Sequence, residues 1–303
     1  MHRTRTNNGD TSAIRFVGWV IANSLLVDDR NASKCIFTEG SAVRELIKRV
    51  SVASIIGPIV IILLWFGGYP LLVLTSLVGI GLIIEFFKLS KQKISLWRII
   101  LICLLAVIWQ TAVFSGYENL LQLFLGSVII LLVTELSTKA TEGTQERSSS
   151  MLFTYIYAGP ITSTILLVRR FGAHWAILPV AMVWIVDTAA YWGGSLTGKH
   201  KLAPEFSPKK TVEGFLWGIV SAVIIAIVVP LIWSKFDTTK LWLCAMVTAF
   251  AGQLGDLFES KLKRQFGVKD SGKILPGHGG IWDRTDSILW VYPLVWIILT
   301  LIK

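Results

Sequence analysis

The sequence predicts an all-α fold, a polytopic membrane helix bundle of about nine transmembrane helices. Two observations carry that expectation. Hydrophobic residues make up 53% of 303 positions and charged residues 16%, with a mean hydropathy of +0.65, well away from the composition of a water-soluble domain. Apolar runs also recur along the chain at the roughly 20-residue length that one helical crossing needs.

Taken in order, the expected spans are 50–66, 69–87, 97–114, 119–136, 151–168, 175–196, 213–233, 241–262 and 287–302. The first five are expected to be scaffold, short of ionisable groups in their interiors. Three regions follow: an extension of unknown role at 1–43, scaffold helices over 44–172, and catalytic helices over 173–303 with cytoplasmic loops at 199–212 and 261–286. The extension contains FVGWVIANSLLV behind Arg15, a stretch too short to span and without a small-residue cleavage site.

Basic residues orient the bundle, because positively charged loops stay in the cytoplasm. Of 29 Lys and Arg, 19 fall in alternate loops: three at 44–49, four at 88–98, two at 139–147, four at 199–210 and six at 261–284. The opposite loops and the terminal lysine hold five. The expectation is a cytoplasmic N-terminus and an external C-terminus. Cys35, Cys103 and Cys244 stand apart with no CxxC pair, which gives no sign of a disulfide framework or thiolate metal site.

Carboxylates interrupt the later spans. Asp187 lies in VWIVDTAAYWGG, and Asp256 and Glu259 lie in AGQLGDLFESKLKR; a carboxylate at the bilayer centre costs roughly 2.5–3.5 kcal/mol on insertion scales. At 100° per residue Gln253, Asp256, Glu259 or Ser260, and Lys263 share one helical stripe, which implies a polar cavity at the cytoplasmic edge. The bland alternative for each acid is an ion pair that only holds helices together.

The loop GGSLTGKHKLAPEFSPKKTVEG, residues 193–214, approaches a GxxxxGK phosphate loop at Gly193, Gly198 and Lys199. His200 stands where a Ser or Thr is required, and a membrane helix precedes it instead of a strand, so that motif is rejected. Lys199, Lys201, Lys209 and Lys210 remain as flexible point charges suited to phosphates or to anionic headgroups.

The second loop, SKLKRQFGVKDSGKILPGHGGIWDRTD at 260–286, mixes acids, bases and glycines. Gly277, Gly279 and Gly280 permit close backbone approach to phosphate oxygens. Asp256, Asp283 and Asp286 offer hard oxygen ligands suited to Mg2+, and Lys263, Arg264, Lys269 and Arg284 supply opposing charge. That mixture suits a metal and a polyphosphate held together.

The run Ser260, Lys263-Arg264, Lys269-Asp270, Gly272, Pro276, His278-Gly279-Gly280, Asp283-Arg284, Asp286 resembles the C-terminal signature of the phosphatidate cytidylyltransferases, the CDP-diacylglycerol synthases. GKHKLAPEFSPKKTVEG and Asp187-Thr188 are similar to further stretches of that family, and the resemblance covers roughly 44–303. It departs over the first 40 residues and at Val212, where the family pattern has an aromatic residue.

The resemblance implies a reaction of CTP with phosphatidic acid that yields CDP-diacylglycerol and pyrophosphate and requires Mg2+, with a second cation as an option. Asp256 and Asp283 are then expected at the metal, with Asp286 and Glu259 as further ligands or as groups that hold the ligands. Lys209, Lys210, Lys263 and Arg284 are expected on phosphates, with Lys199, Arg264, Lys269, Gly279 and Gly280 contributing to the substrate site. His278 serves as acid or base, or donates to a phosphate oxygen, the preferred reading. Ser207 binds phosphate or caps the turn before Pro208, and Asp187 holds a second cation or orients a lysine. Expected partners are CTP, phosphatidic acid and membrane lipids, without nucleic acid; a homodimer is a candidate assembly, and the compact plan resembles members from bacterial inner membranes. Two other classes stay open: a CTP-dependent lipid kinase, and an ion-coupled transporter, which would predict broken helices in two related halves.

Overall fold

Residues 54–92, 94–272 and 279–302 are described by a computed structural model. The extension at 1–43, the start of the first expected span, and residues 273–278 with Pro276, Gly277 and His278 lie outside the described residues.

Nine helices and one hairpin make up the described chain. They are α1 (Ser54–Phe66), α2 (Gly68–Ser90), α3 (Leu96–Ser115), α4 (Leu120–Glu135), α5 (Thr144–Arg169) and α6 (Ala173–Thr197), then strands β1 (Lys201–Ala203) and β2 (Ser207–Thr211), then α7 (Val212–Ile232), α8 (Thr238–Gln265) and α9 (Trp282–Leu301). Seven of the helices are long and apolar enough to cross a membrane, while α1 and α4 are shorter apolar helices. The chain is a multi-pass membrane protein. In α7 the mean hydropathy reaches 2.8 while 17% of its most apolar window is buried, the signature of a helix that faces lipid over most of its circumference.

Local chemistry sets the helix ends. The Asp237 side chain accepts from the Lys240 amide at 2.8 Å at the start of α8, and Thr211 Oγ1 accepts from Gly214 N at 3.1 Å at the start of α7; both are N-caps. Arg169 donates to the carbonyls of Leu64 and Trp65 at 2.8 and 2.6 Å, and Arg170 to those of Val113 and Phe114. These two arginines therefore satisfy the C-terminal carbonyls of α1 and α3, where cations are favoured.

Two apolar cores form. The larger draws mainly on α6, α7, α8 and α9, joined by Leu64 of α1, Leu71 of α2, Val113 of α3 and Leu166 and Val168 of α5, and the smaller on α2, α3, α4 and α5 with Trp282 and Leu289 of α9. Helix α5 carries a π-turn at Tyr157–Ile161 around Pro160, the expected response to a proline that cannot donate its own hydrogen bond. Helices α3, α4 and α5 are tied at one end by Arg98 and Arg147, which pair with Glu135 at 2.9 and 2.5 Å.

Small residues bring the later helices together, as in many membrane bundles. A Cβ on Gly214 would lie 3.1 Å from Gly194 Cα, so α6 and α7 meet backbone to backbone. A Cβ on Gly255 would lie 2.6 Å from the Asp286 carbonyl, which holds α8 equally close to α9.

Three expectations change. Glu85 sits inside the second expected span and is 1% exposed, so the early spans do carry an interior acid. The loop at 199–212 contains a two-stranded antiparallel hairpin that pairs Lys201 with Thr211 and Ala203 with Ser207. The loop at 261–286 is shorter than expected: α8 continues to Gln265 and α9 begins at Trp282, which makes Asp283 and Asp286 helical.

Candidate active site

Four elements converge: the middle of α6, strand β2, the C-terminal half of α8 and the first turn of α9. The close α8–α9 crossing at Gly255 places Asp256 and Glu259 beside Asp286. Carboxylate oxygens of these three residues lie within 4.8 Å of one another. Glu259 is 3% exposed, and its Oε1 has no hydrogen-bond partner among the described residues. Three acids at such spacing repel strongly in a low-dielectric setting. An all-oxygen set of this kind, with one buried oxygen unpartnered, fits a hard divalent cation that keeps part of its shell for other oxygen ligands. Asp256, Glu259 and Asp286 could therefore hold Mg2+.

Two lysines from different elements, β2 and α8, pair with the cluster. Lys210 Nζ pairs with Asp256 Oδ2 at 2.6 Å. Side chains alternate across a strand, so its neighbour Lys209 is directed elsewhere and is exposed. Lys263 Nζ bridges Glu259 Oε2 at 2.5 Å and Asp283 Oδ1 at 2.7 Å. The i, i+4 spacing of Glu259 and Lys263 puts both on one face of α8. Ser260 Oγ donates weakly to Asp256 Oδ1 at 3.4 Å. Asp187 of α6 is exposed and within Coulombic reach of Asp256 and Lys210.

Asp283 lies outside the three-acid group. Its Oδ2 accepts from Gly280 N at 2.8 Å, Ser271 N at 2.9 Å and Ser271 Oγ at 2.9 Å, while Oδ1 takes Lys263. An acid in the first turn of a helix that accepts backbone amides is an N-terminal anchor. Here it ties Ser271 and Gly280 to α9 and fixes the Lys263 ammonium. Gly279 takes φ +82° beside it, a backbone conformation that L side chains rarely adopt.

Glu85 is the residue that sequence reasoning passed over. From α2 its Oε1 accepts from Ile281 N at 2.9 Å, and its Oε2 accepts from Trp282 N at 3.0 Å and from Ser271 Oγ at 3.3 Å. A Cβ on Gly280 would come within 2.6 Å of both Glu85 carboxylate oxygens, so only glycine admits the clamp. The signal was available: a lone glutamate within GIGLIIEFFKLS. It stands near the end of an expected span, three residues before Lys88. Behind the clamp Trp282 donates to Leu82 O at 2.8 Å and stacks on Tyr157 at 5.1 Å and Phe153 at 5.9 Å.

The remaining expected residues lie around this centre with other contacts. Arg264 donates to Phe206 O at 3.3 Å and Val268 O at 3.1 Å. The Lys199 and His200 amides donate to Glu213 Oε2 at 3.0 and 3.2 Å, and the His200 ring meets Glu213 Oε1 at 2.6 Å. That closure shapes the GKHK turn around a glutamate. Lys199, Lys269 and Arg284 are exposed and Ser207 is half-buried; His278 lies outside the described residues.

Comparison with known proteins gives this centre a context. The model of the Cytidylyltransferase family matches residues 47–302. A protein of Bacillus subtilis (strain 168) named phosphatidate cytidylyltransferase is 33% identical over 268 residues, 85% of this chain and 98% of that one. Relatives of the same name in Staphylococcus haemolyticus and Staphylococcus saprophyticus are 48% identical over 150 residues and 51% identical over 134. The chain spans about half the length of these staphylococcal relatives, 54% and 51%. With a family match that runs through every helix of the bundle and the whole acidic centre, the chain belongs to the Cytidylyltransferase family.

Proposed function

We propose that this chain transfers the cytidylyl group of CTP to phosphatidic acid, giving CDP-diacylglycerol and pyrophosphate. The observation that carries the reading is the convergence of Asp256, Glu259 and Asp286 with Lys210 and Lys263 at the end of apolar helices. It joins a cation-binding group and phosphate-binding charges at a place that both a soluble nucleotide and a lipid headgroup can reach. The names of the relatives agree with that chemistry.

In the reaction a lipid phosphate oxygen bonds to the α-phosphorus of CTP as the bond from that phosphorus to the bridging oxygen breaks, and pyrophosphate leaves. The nucleophile is anionic already, so the difficulty is the approach of two anions and the charge on the leaving group. Mg2+ held by Asp256, Glu259 and Asp286 would neutralise phosphate charge and stabilise the leaving pyrophosphate. Lys210 and Lys263, each seated on a carboxylate, are preset to exchange that partner for phosphate oxygens as substrate enters. Asp283 and Glu85 hold the loop and the first turn of α9 in register, and Lys209 adds charge at the mouth. The catalytic face is assigned to the cytoplasm, where the basic loops lie.

Purified protein incubated with labelled CTP and phosphatidic acid, with and without Mg2+, tests the reading through its lipid product. A liponucleotide and pyrophosphate, formed only with the metal, are expected. A phosphorylated alcohol with CDP would assign a lipid kinase instead, and no lipid product from either pair would overturn the proposal.

A further inference from the structure

A cavity of about 430 Å³ opens beside the first turn of α9, on the face away from the carboxylates. Its volume falls in the roughly 300–1,000 Å³ range of small-ligand pockets. Its walls come from α1, α2, α5, α6 and α9, and almost all are aliphatic or aromatic. One charged residue lines it, Arg284, with Thr285 and Thr75 as the polar neighbours. Along α9 the lining follows a single helical stripe: Arg284, Thr285, Ile288, Leu289 and Tyr292. From Arg284 to Tyr292 the stripe descends about 12 Å at 1.5 Å per residue. That approaches the ~15 Å depth of one leaflet in a hydrocarbon core of ~30 Å.

A deep apolar slot one leaflet long, with a guanidinium at its mouth, has the chemistry of a lipid that carries an anionic phosphate head. Arg284 directly follows Asp283, and Asp286 of the metal group is two residues further on, so the mouth lies at the depth of the reacting centre along the axis of α9, across the start of that helix from it. We infer that this cavity seats one acyl chain of the phosphatidic acid substrate, with Arg284 on its phosphate. This inference rests on the proposed function for the identity of the lipid. The slot then sets chain-length preference, since each further methylene it buries adds to binding, while a chain that outruns the slot must bend into lipid.

Two measurements decide it. The first uses full-length protein in nanodiscs and phosphatidic acid that bears a diazirine near the end of its acyl chain, with labelled residues located by mass spectrometry. Labels on Leu74, Ile288 or Tyr292, displaced by unlabelled dioleoyl phosphatidic acid and about tenfold weaker with the matching phosphatidylcholine probe, are expected. Labels confined to lipid-facing α7, or equal labelling by both probes, overturn the inference. Because labelling needs no turnover, it stands apart from the transfer reaction; a protein that labels in the cavity yet makes no liponucleotide would sink the proposed function alone. The second measurement fills the slot with Val60→Trp on α1, a helix that carries none of the carboxylates. KM for dioleoyl phosphatidic acid should rise about tenfold while kcat/KM for the dihexanoyl lipid stays within about twofold. Equal losses on both chain lengths overturn the inference, and if Val60→Trp does not fold, the labelling of the unaltered protein decides it.

Discussion

Single side chains divide the centre into acids that cluster with one another and acids that hold structure. Asp256, Glu259 and Asp286 stand together, whereas Asp283 spends its carboxylate on Gly280, Ser271 and Lys263. Substitutions should separate the two groups. Asp256→Asn keeps the shape and removes a charge, and should lower kcat by about 10²–10³, the scale seen when one preorganised electrostatic group is lost, with the melting temperature in detergent little changed. Asp283→Asn should reduce turnover too, but with a lower melting temperature, because four donors lose a charged acceptor and each such bond is worth about 1.5–3 kcal/mol. Equal melting temperatures for the two variants would remove the distinction. Glu85 makes a parallel case 196 positions earlier in sequence. Glu85→Ala should destabilise the protein and depress kcat without changing the KM for CTP, whereas Glu85→Gln, which retains one carbonyl acceptor, should recover part of both. An unaltered kcat in Glu85→Ala would show that the clamp does not position α9.

Among the elements, the close approach of α8 to α9 does the assembling. Gly255 permits it, and Gly255→Val should push against the Asp286 carbonyl and Trp290, which separates Asp286 from Asp256. The expected outcome is a folded protein whose melting temperature no longer rises with added Mg2+ or Mn2+; a preserved metal-dependent rise would contradict the role given to this glycine. The spans were legible because hydropathy alone defines them, and the apolar helices begin and end within a few residues of expectation, α5 and α9 excepted. Those two run further because of long-range partners. Arg147 reaches Glu135, so the polar stretch from Thr144 joins α5, and Glu85 with Asp283 accepts amides of 280–282, so α9 starts before its apolar run. No local signal at 280–282 announces Glu85, 196 residues away from Ile281. The acids Asp256, Glu259 and Asp286 and the bases Lys210 and Lys263 were legible as types, because charge inside a membrane helix is costly enough to be conspicuous. Which of them would meet was not: helical periodicity aligned Asp256 with Glu259 and Lys263, but the choice of Asp286 over Asp283 depends on how α9 is rotated against α8.

For the molecule as a whole, the arrangement is asymmetric across its length. Arginines 169 and 170 close the carbonyl ends of α1 and α3, while the acidic centre, the hairpin and most basic loops gather around the other helix ends. The charge distribution predicts that this second face is cytoplasmic. In a variant without native cysteines, Glu205→Cys in the hairpin turn should react with an impermeant thiol reagent only from the cytoplasmic side, and Lys235→Cys before α8 only from outside. The reverse pattern would invert the topology. Under the proposed function, a two-sided design of this sort would let CTP arrive from water while a lipid enters laterally, with the shared carboxylate group as the point where both requirements meet. The most direct test is therefore manganese binding to the purified protein, followed by electron paramagnetic resonance as the metal is titrated. Unaltered protein and Lys209→Ala should bind the ion with similar affinity, and the double variant Asp256→Asn with Asp286→Asn should lose that binding together with CDP-diacylglycerol formation. Manganese binding and turnover that survive in the double variant would contradict the account.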